Sequence, residues 1–470
     1  MRFLFRPLTI ILLVAVGMTL SPPVQAAPAA QPAPSFAYFP ETGHNIGLEI
    51  KAFFDANGGL AIFGLPLTEL IKSSDGQTVQ YFERARVEYR SDQPQGARVA
   101  LSRAGSMLTA GRTDEPFQWR VGSDDPARDF YPESGHTLGG AFRWFWQSNG
   151  GVAVFGFPIS EEFYEANPLD GQTYLVQYFE RARFEYHPEL AGSAGEVQLA
   201  HLGRQLLAQD PAAQAATAPV AEISLLGEAT TGFSSSSNER VTNIGRATEM
   251  INGWIVPVNT EFSFVNVGDF SEANGFVDGY GIVGGRLERV IGGGLCQVST
   301  TLFRAVSNAG LKITRRVGHS HIVNFYENIL GFDATVFTPS VDFRWFNDSP
   351  GTTYIVAWSD KNAGRVTFQI WGVSDGRKVS YEGPVTKNWT NPGKPVWQYD
   401  PNLPNGAVRQ LVHGRRGVDV AYTRIIRDAK GRVSRTVYNT KYTPWEDFFI
   451  YGPGVNPPAG VTVIEPRSSR

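Results

Sequence analysis

The sequence predicts an α+β protein of several domains: two α+β repeats, a central α+β unit in which a glycine loop opens a cysteine-bearing helix, and an extended, β-rich C-terminal unit. Three observations carry that prediction. A chain of 470 residues exceeds what one hydrophobic core ordinarily organises. Its N-terminal part contains a long internal duplication. Its 50 glycines and 30 prolines imply many turns, and hence much β structure.

Residues 1–26 read as an export signal. Arg2 and Arg6 form a basic start, Leu8 to Leu20 an apolar core, and Val24-Gln25-Ala26 precedes a cleavage point. That core falls short of the roughly 20 residues a spanning helix needs, so no stable membrane span is expected after signal cleavage. The mature protein is therefore expected outside the cytoplasm, secreted or wall-associated. A net charge of −3 gives no reason to propose nucleic acid, whose phosphates demand a concentrated basic face. With Cys296 as the only cysteine no internal disulfide can form, and a lone thiol outside the cytoplasm needs a reason, of which burial is the plainest.

The duplication sets the first two folded units at 36–111 and 128–207. Phe39-Pro-Glu-Thr-Gly-His44 recurs as Tyr131-Pro-Glu-Ser-Gly-His136, and Ile62-Phe-Gly-Leu-Pro66 as Val154-Phe-Gly-Phe-Pro158, each 92 positions on. Gln80-Tyr-Phe-Glu-Arg-Ala-Arg-Val-Glu-Tyr89 recurs as Gln177-Tyr-Phe-Glu-Arg-Ala-Arg-Phe-Glu-Tyr186, 97 positions on, so a five-residue insertion near 167–171 marks a surface loop. Ile46, Ile50, Phe53 and Phe54 lie at helical spacing before a Gly-Gly stop, and the second copy ends its equivalent stretch the same way. The segment around Phe82 mixes aromatic and polar side chains as a half-buried strand does. His44 and His136 are expected to stabilise turns, and Glu83-Arg84 with Glu180-Arg181 to form a solvated strand face.

These Phe-Gly-x-Pro cores, followed by Thr-Glu or Ser-Glu and a later Gln-Tyr-Phe strand, resemble LGFP repeats, a family associated with bacterial cell-wall attachment. The resemblance implies wall binding here. Trp144 and Trp146 are the candidate sugar-stacking residues, with core filling as their plainer role. Residues 208–232, which begin with an alanine-rich run, are expected to be a linker.

In the central unit, 233–374, Gly292, Gly293 and Gly294 lead into a helix from about 295 to 309, on which Val298, Leu302, Ala305, Val306 and Ala309 share one face. Cys296 sits in its first turn, where unpaired N–H groups and the helix dipole favour a thiolate over a thiol. Leu311 to Arg315 alternates as a strand, and continued extension would point His319 and His321 to the same side. A thiolate, an imidazole from one of these, an orienting Asp333 or Asn324, and backbone N–H groups at 294–296 to hold an oxyanion suffice for acyl transfer on an amide. The three glycines and Gln297 are candidate binding residues. The plainer alternative makes Cys296 a small buried hydrophobe, the glycines packing devices and the histidines backbone partners. Ser299, Thr300 and Thr301 read as helix-start residues. A metal site of His319, His321 and Asp333 is disfavoured because local spacing does not fix the third ligand, and no cofactor is expected.

In order, Arg240-Val-Thr-Asn243, Ile251-Asn-Gly-Trp254, Phe262-Ser-Phe264, Gly279-Tyr280, Gly292-Gly-Gly-Leu-Cys-Gln-Val-Ser-Thr-Thr301, Ala309-Gly-Leu311, His319-Ser-His321, Asp333-Ala334 and Asp342-Phe-Arg-Trp-Phe-Asn347 resemble the VanW family. That resemblance implies an envelope protein, named from glycopeptide-resistance clusters, without a settled biochemical activity. The chain departs from the family in carrying Ile322 and Val323 where members tend to have proline. Further on, within 383–455, Val396 to Gly406, Val412 to Gly417, Thr423 to Arg427, Val433 to Val437 and Tyr451 to Gly454 resemble the G-five domain, which implies an extended extracellular β unit with affinity for N-acetylglucosamine. Its runs at 423–427 and 433–437 form a hairpin through Asp428 to Gly431, and 456–470 is a tail. The expected function is that of an exported envelope protein binding peptidoglycan or another wall polymer, or alternatively of a Cys/His-dependent acyl-transfer or hydrolytic centre acting on peptidoglycan stem peptides.

Overall fold

The computed structural model describes residues 34–464 apart from 235, 284, 285, 324 and 326–328; the expected signal segment and the candidate Asn324 lie outside the described residues. Helices and several small sheets alternate along the chain in an α+β arrangement. No described helix is long and apolar enough to cross a membrane.

Each repeat opens on a two-stranded hairpin, Phe36–Phe39 with His44–Gly47 or Arg128–Tyr131 with His136–Gly139. A helix (Leu48–Ala56 or Gly140–Ser148), a shorter one, and a four-stranded antiparallel sheet follow. The five inserted residues lie in the hairpin loop between Phe163–Ala166 and Thr173–Tyr178. The repeated Phe-Gly-x-Pro glycine has a steric reason. A Cβ on Gly64 would stand 2.7 Å from that of Glu83, and one on Gly156 2.6 Å from that of Glu180. These glutamates do not form the solvated face expected of them. Glu83 accepts the Leu65 amide at 3.1 Å and the Arg204 guanidinium at 2.7 Å, which fastens the first repeat to the last helix of the second.

That helix is exchanged. Ala104–Leu108, near the end of the first repeat, lies on the second, where the Ser106 amide donates to the Glu180 carbonyl at 3.1 Å. Leu202–Ala208 returns to the first, where the Arg204 amide donates to the Glu83 carbonyl at 3.1 Å. The approach is so close that a Cβ on Gly105 or Gly203 would lie 1.9 Å from the carbonyl oxygen of Phe179 or Phe82. Both repeats therefore share one core, including Phe82, Phe155, Phe179 and Phe184, and Ile223, Ile255 and Tyr354 of the central unit join it.

The central unit is built from β1 (Ile223–Gly232), α1 (Asn238–Ile251), β2 (Ile255–Val256), α2 (Leu295–Asn308), β3 (Thr353–Asp360) and β4 (Arg365–Val373). The strands form an antiparallel sheet in the order β1-β4-β3-β2. β1 comes from residues the sequence places in the linker: they carry no clean alternation, and pairing with β4 makes them a strand. The helix α1 packs on β3, α2 packs on β1 and β4, and the two helices touch. The apolar face of α2 predicted from spacing, Val298, Leu302, Ala305, Val306 and Ala309, is buried throughout. Gly227 lets the end of α2 lie directly on β1, since a Cβ there would meet the Ala309 nitrogen at 2.3 Å.

Beyond it, β5 (Lys378–Thr390), β6 (Gly417–Arg427) and β7 (Val433–Tyr442) form an antiparallel sheet in that order. The hairpin between β6 and β7 turns at Asp428 to Gly431 as expected. It is bound into the central unit: Tyr422 enters the central core against Phe332, and Arg424 donates to the Leu311 carbonyl at 2.7 Å.

Exchange of the short helices predicts that Gly203→Ala lowers the stability of the folded chain by about 2–3 kcal/mol through overpacking against the Phe82 carbonyl. Gly76→Ala, at a left-handed position with open space around it, should cost about 1 kcal/mol. Denaturant midpoints compare the two, and equal small shifts would contradict the close approach.

Candidate functional site

The glycine loop is clamped before α2 begins. Gly292 and Gly294 have φ of 83° and 123°, and a Cβ on Gly294 would stand 3.2 Å from the Arg240 carbonyl on α1. Buried Asn243 donates to the carbonyls of Gly293 at 3.1 Å and Val277 at 2.9 Å, and accepts the Val277 amide at 2.8 Å. Of the three amides at 294–296, that of Leu295 is spent on the Gly292 carbonyl at 3.1 Å. Among the described residues the amides of Gly294 and Cys296 form no backbone hydrogen bond.

One face of α2 then grips a second segment. Positions 296, 300 and 304 are four apart and stack along the helix. Facing them is 332–336. The Cys296 sulfur lies 3.2 Å from the Thr335 hydroxyl and 3.3 Å from the Val336 carbonyl. The Thr300 hydroxyl donates to the Ala334 carbonyl and accepts its amide, each at 3.1 Å, and Arg304 Nε donates to the Phe332 carbonyl at 2.7 Å. On its other side the segment takes the Arg316 Nε at the Asp333 carbonyl, 2.6 Å, and gives the Thr335 amide to the Val317 carbonyl at 2.8 Å.

Asp333 is thereby held at 2% exposure between α2 and the loop that carries His319. Its Oδ2 accepts the His319 amide at 2.9 Å and bonds His319 Nδ1. Its Oδ1 accepts Arg316 Nη2 at 3.0 Å and the Tyr442 hydroxyl at 2.9 Å. With Nδ1 engaged, His319 offers Nε2 to the Cys296 thiol, its hydrogen-bonding partner. His319 and Asp333 are buried, while Cys296 keeps partial exposure.

Burial works against charge on all three groups, and their mutual contacts outweigh it. The hydrogen bond and charge of His319, then the Thr335 hydroxyl, bring the Cys296 thiol down to about 7. Asp333 and Cys296 hold His319 up at about 9, and His319 with Arg316 holds Asp333 down at about 2. These opposite shifts favour thiolate with imidazolium over the neutral pair, with two macroscopic titrations that belong to the pair.

The other candidates stand apart from this chain of contacts. The backbone leaves its extended course after Arg315, so the two histidine rings do not share a side. His321 stacks on Trp445 with ring centroids 4.1 Å apart, its Nδ1 is 2.9 Å from the Ser320 hydroxyl, and burial moves its pKa down. Gln297 is fully buried and engaged elsewhere, accepting from Arg240 at 2.6 Å and donating to Thr231 at 3.0 Å and the Gly232 carbonyl at 2.7 Å. Ser299, Thr300 and Thr301 are buried inside the helix rather than at its start, and Thr301 bonds Thr231 of β1. Trp146 is a core residue whose Nε1 donates to the Gly156 carbonyl at 3.0 Å. Trp144 is 64% exposed beside a groove of about 210 Å³ lined by Ala141, Phe145, Glu196 and Val197. Among the described residues no set of three or more His, Cys, Asp or Glu side chains is disposed to hold a metal ion.

Sequence reasoning missed Thr335, Arg304, Arg316 and Tyr442, and gave Thr300 another role. Thr300 and Arg304 were within reach, four and eight positions after Cys296 on the same helical face. The other three are set by tertiary structure.

Residues 239–371 match the family model described as VanW like protein, so the chain carries a VanW-like domain there. The YoaR protein of Bacillus subtilis (strain 168), itself described as uncharacterized, is 41% identical over 123 residues, which is 26% of this chain and 40% of that protein. The vancomycin B-type resistance protein VanW of Enterococcus faecalis (strain ATCC 700802 / V583) is 29% identical over 155 residues, 32% of this chain and 50% of that protein. The chain thus spans half or less of the length of these relatives. A crystal structure described as HP0197-G5 aligns over 16% of this chain and 97% of its own, at 20% identity and a TM-score of 0.09.

The contacts predict that alkylation of Cys296 in the full chain follows pH with a midpoint near 7. His319→Ala should return that midpoint to the ordinary thiol range, about 8.5 or above, and His321→Ala should leave it in place. Equal displacement by both substitutions would contradict the geometry.

Proposed function

We propose that the VanW-like domain carries out thiol-dependent acyl transfer or hydrolysis on peptide amides of the bacterial cell wall, within an exported, wall-associated protein. The observation that carries this reading is the hydrogen-bonded series Cys296–His319–Asp333, in which the only cysteine of the chain opens α2. The thiolate attacks the amide carbonyl carbon, an S–C bond forms, and the oxyanion is met by the amides of Gly294 and Cys296. The His319 imidazolium gives its Nε2 proton to the departing amine as the C–N bond breaks. Water, or an acceptor amine in a transfer, then loses a proton to neutral His319 and attacks the thioester. The S–C bond breaks and the thiolate returns. Asp333 holds the ring by Nδ1 throughout and stabilises its charge, in the manner of an orienting carboxylate. A positioned imidazole contributes roughly 100- to 10,000-fold to such steps.

The likeness to a vancomycin B-type resistance protein supports a cell-wall setting. Peptidoglycan stem peptides supply amides, and the flanking repeats and C-terminal unit would hold the chain on wall glycan. Binding by the second repeat is supported by Trp144, whose exposed ring borders a groove of about 210 Å³. A wholly noncatalytic wall binder would need that groove and not the thiol series.

Incubation with stem-peptide substrates should give an acyl adduct on Cys296, seen as a mass increase in the full chain and absent in Cys296→Ala. Adducts of equal yield in both would sink the nucleophile assignment. Trp144→Ala should weaken retention on purified sacculi by roughly 3- to 10-fold, and unchanged retention would remove the stacking role.

A further inference from the structure

We infer that the β6–β7 hairpin is an integral part of the thiol centre, and that Tyr442 is a positioning residue that orients Asp333 and, through it, His319 against Cys296. The inference rests on the thiol-dependent reading above and concerns residues beyond 371, where the family match ends.

Tyr442 closes β7 and is buried at 5% exposure. Its hydroxyl donates to Asp333 Oδ1 at 2.9 Å and accepts the Gly331 amide at 2.9 Å, so it fixes both the carboxylate and the backbone two residues before it. Arg316, the other donor to Oδ1, is itself seated on the hairpin: Nη2 donates to the Thr440 hydroxyl at 3.0 Å and Nη1 to the Asn439 carbonyl at 3.4 Å. The loop carrying His319 runs flush along β7, since a Cβ on Gly318 would stand 2.8 Å from Thr440 Cγ2. Just after His319 the Thr443 amide donates to the Ser320 carbonyl at 2.7 Å, and Trp445 Nε1 donates to the Ile322 carbonyl at 3.3 Å. The segment bearing the imidazole and the segment bearing the carboxylate are thus aligned by one hairpin.

The division of labour between the two carboxylate oxygens is the physical point. Oδ2 is reserved for His319 because Oδ1 is saturated by two donors. Removing the Tyr442 hydroxyl leaves Oδ1 with Arg316 alone, frees the carboxylate to rotate, and weakens its hold on the imidazolium. The charged and titratable groups around the series are Arg316 from the loop, Arg304 from α2 beside Phe332, Tyr442 and Tyr422 from the C-terminal sheet, and His321 with Glu446 behind it. Of these, Arg316 and Tyr442 donate to the carboxylate.

The test is the pH profile of Cys296 alkylation in the full chain carrying Tyr442→Phe, which keeps the buried ring and removes only the hydroxyl. Tyr438→Phe, on the same strand but stacked on Tyr422, is the control. Loss of one hydrogen bond to a charged group should raise the midpoint by about half to one pH unit and slow alkylation at acidic pH by roughly 3- to 10-fold, with Tyr438→Phe at the wild-type value. A wild-type midpoint at or above about 8.5 overturns the thiolate reading itself. A wild-type midpoint near 7 that Tyr442→Phe preserves overturns the positioning role alone. Equal shifts in both tyrosine variants would reflect loosening of the hairpin in general and would overturn it as well.

Discussion

A carboxylate buried to 2% exposure decides how three parts of this chain must meet. An ionised Asp333 is tolerated in the interior only if its oxygens are saturated with donors, because an unpaired buried charge costs several kcal/mol or more. The donors come from the loop at 316–319 and from the end of β7. The loop, the segment around Asp333 and the C-terminal hairpin are consequently held in one arrangement. Charge on the carboxylate favours charge on the His319 ring, and the charged ring favours the Cys296 thiolate, so a hydroxyl from β7 is linked through Asp333 and His319 to a sulfur at the start of α2.

The helix contributes from the opposite side. Cys296, Thr300 and Arg304 bond the carbonyls of the alternate residues Val336, Ala334 and Phe332, so the thiol and the carboxylate segment keep a fixed register along α2. The glycine loop brings the start of α2 against α1 closely enough that a side chain at Gly294 would press on Ile244 and Arg240, one at Gly292 would press on Leu295, and Asn243 ties the loop down. The Cys296 side chain and the amides of Gly294 and Cys296 are thereby gathered at the start of α2. The repeats follow a comparable logic on a larger scale. By exchanging their last helices they become one body, and through Ile223, Ile255 and Tyr354 that body is continuous with the central unit.

What was legible in the sequence was local. The apolar face of α2 follows from a period of 3.6, the duplication from matched words at offsets of 92 and 97, and the β6–β7 hairpin from two strand-like runs around Asp428 to Gly431. Residue chemistry brought Cys296, His319 and Asp333 into view together, but also His321 and Asn324. Choosing between the histidines requires knowing that the chain bends after Arg315 and that Trp445 captures the second ring. Glu83 and Glu180 looked like surface strand residues because nothing local shows that Gly64 and Gly156 approach them. β1 looked like linker because its strand character comes from β4. Tyr442 left no trace at all, being 109 positions from the carboxylate it bonds.

The central claim is that Cys296 and His319 share a proton as an ion pair near neutral pH. Because the chain has one cysteine, thiolate ultraviolet absorbance of the full chain, taken as the difference from Cys296→Ala across the pH range, reads this directly. The account predicts that the thiolate signal rises with a midpoint near 7 and is followed by a further small change near 9 as the imidazolium loses its proton. A single rise at about 8.5 or above, the range of an ordinary cysteine, would contradict it.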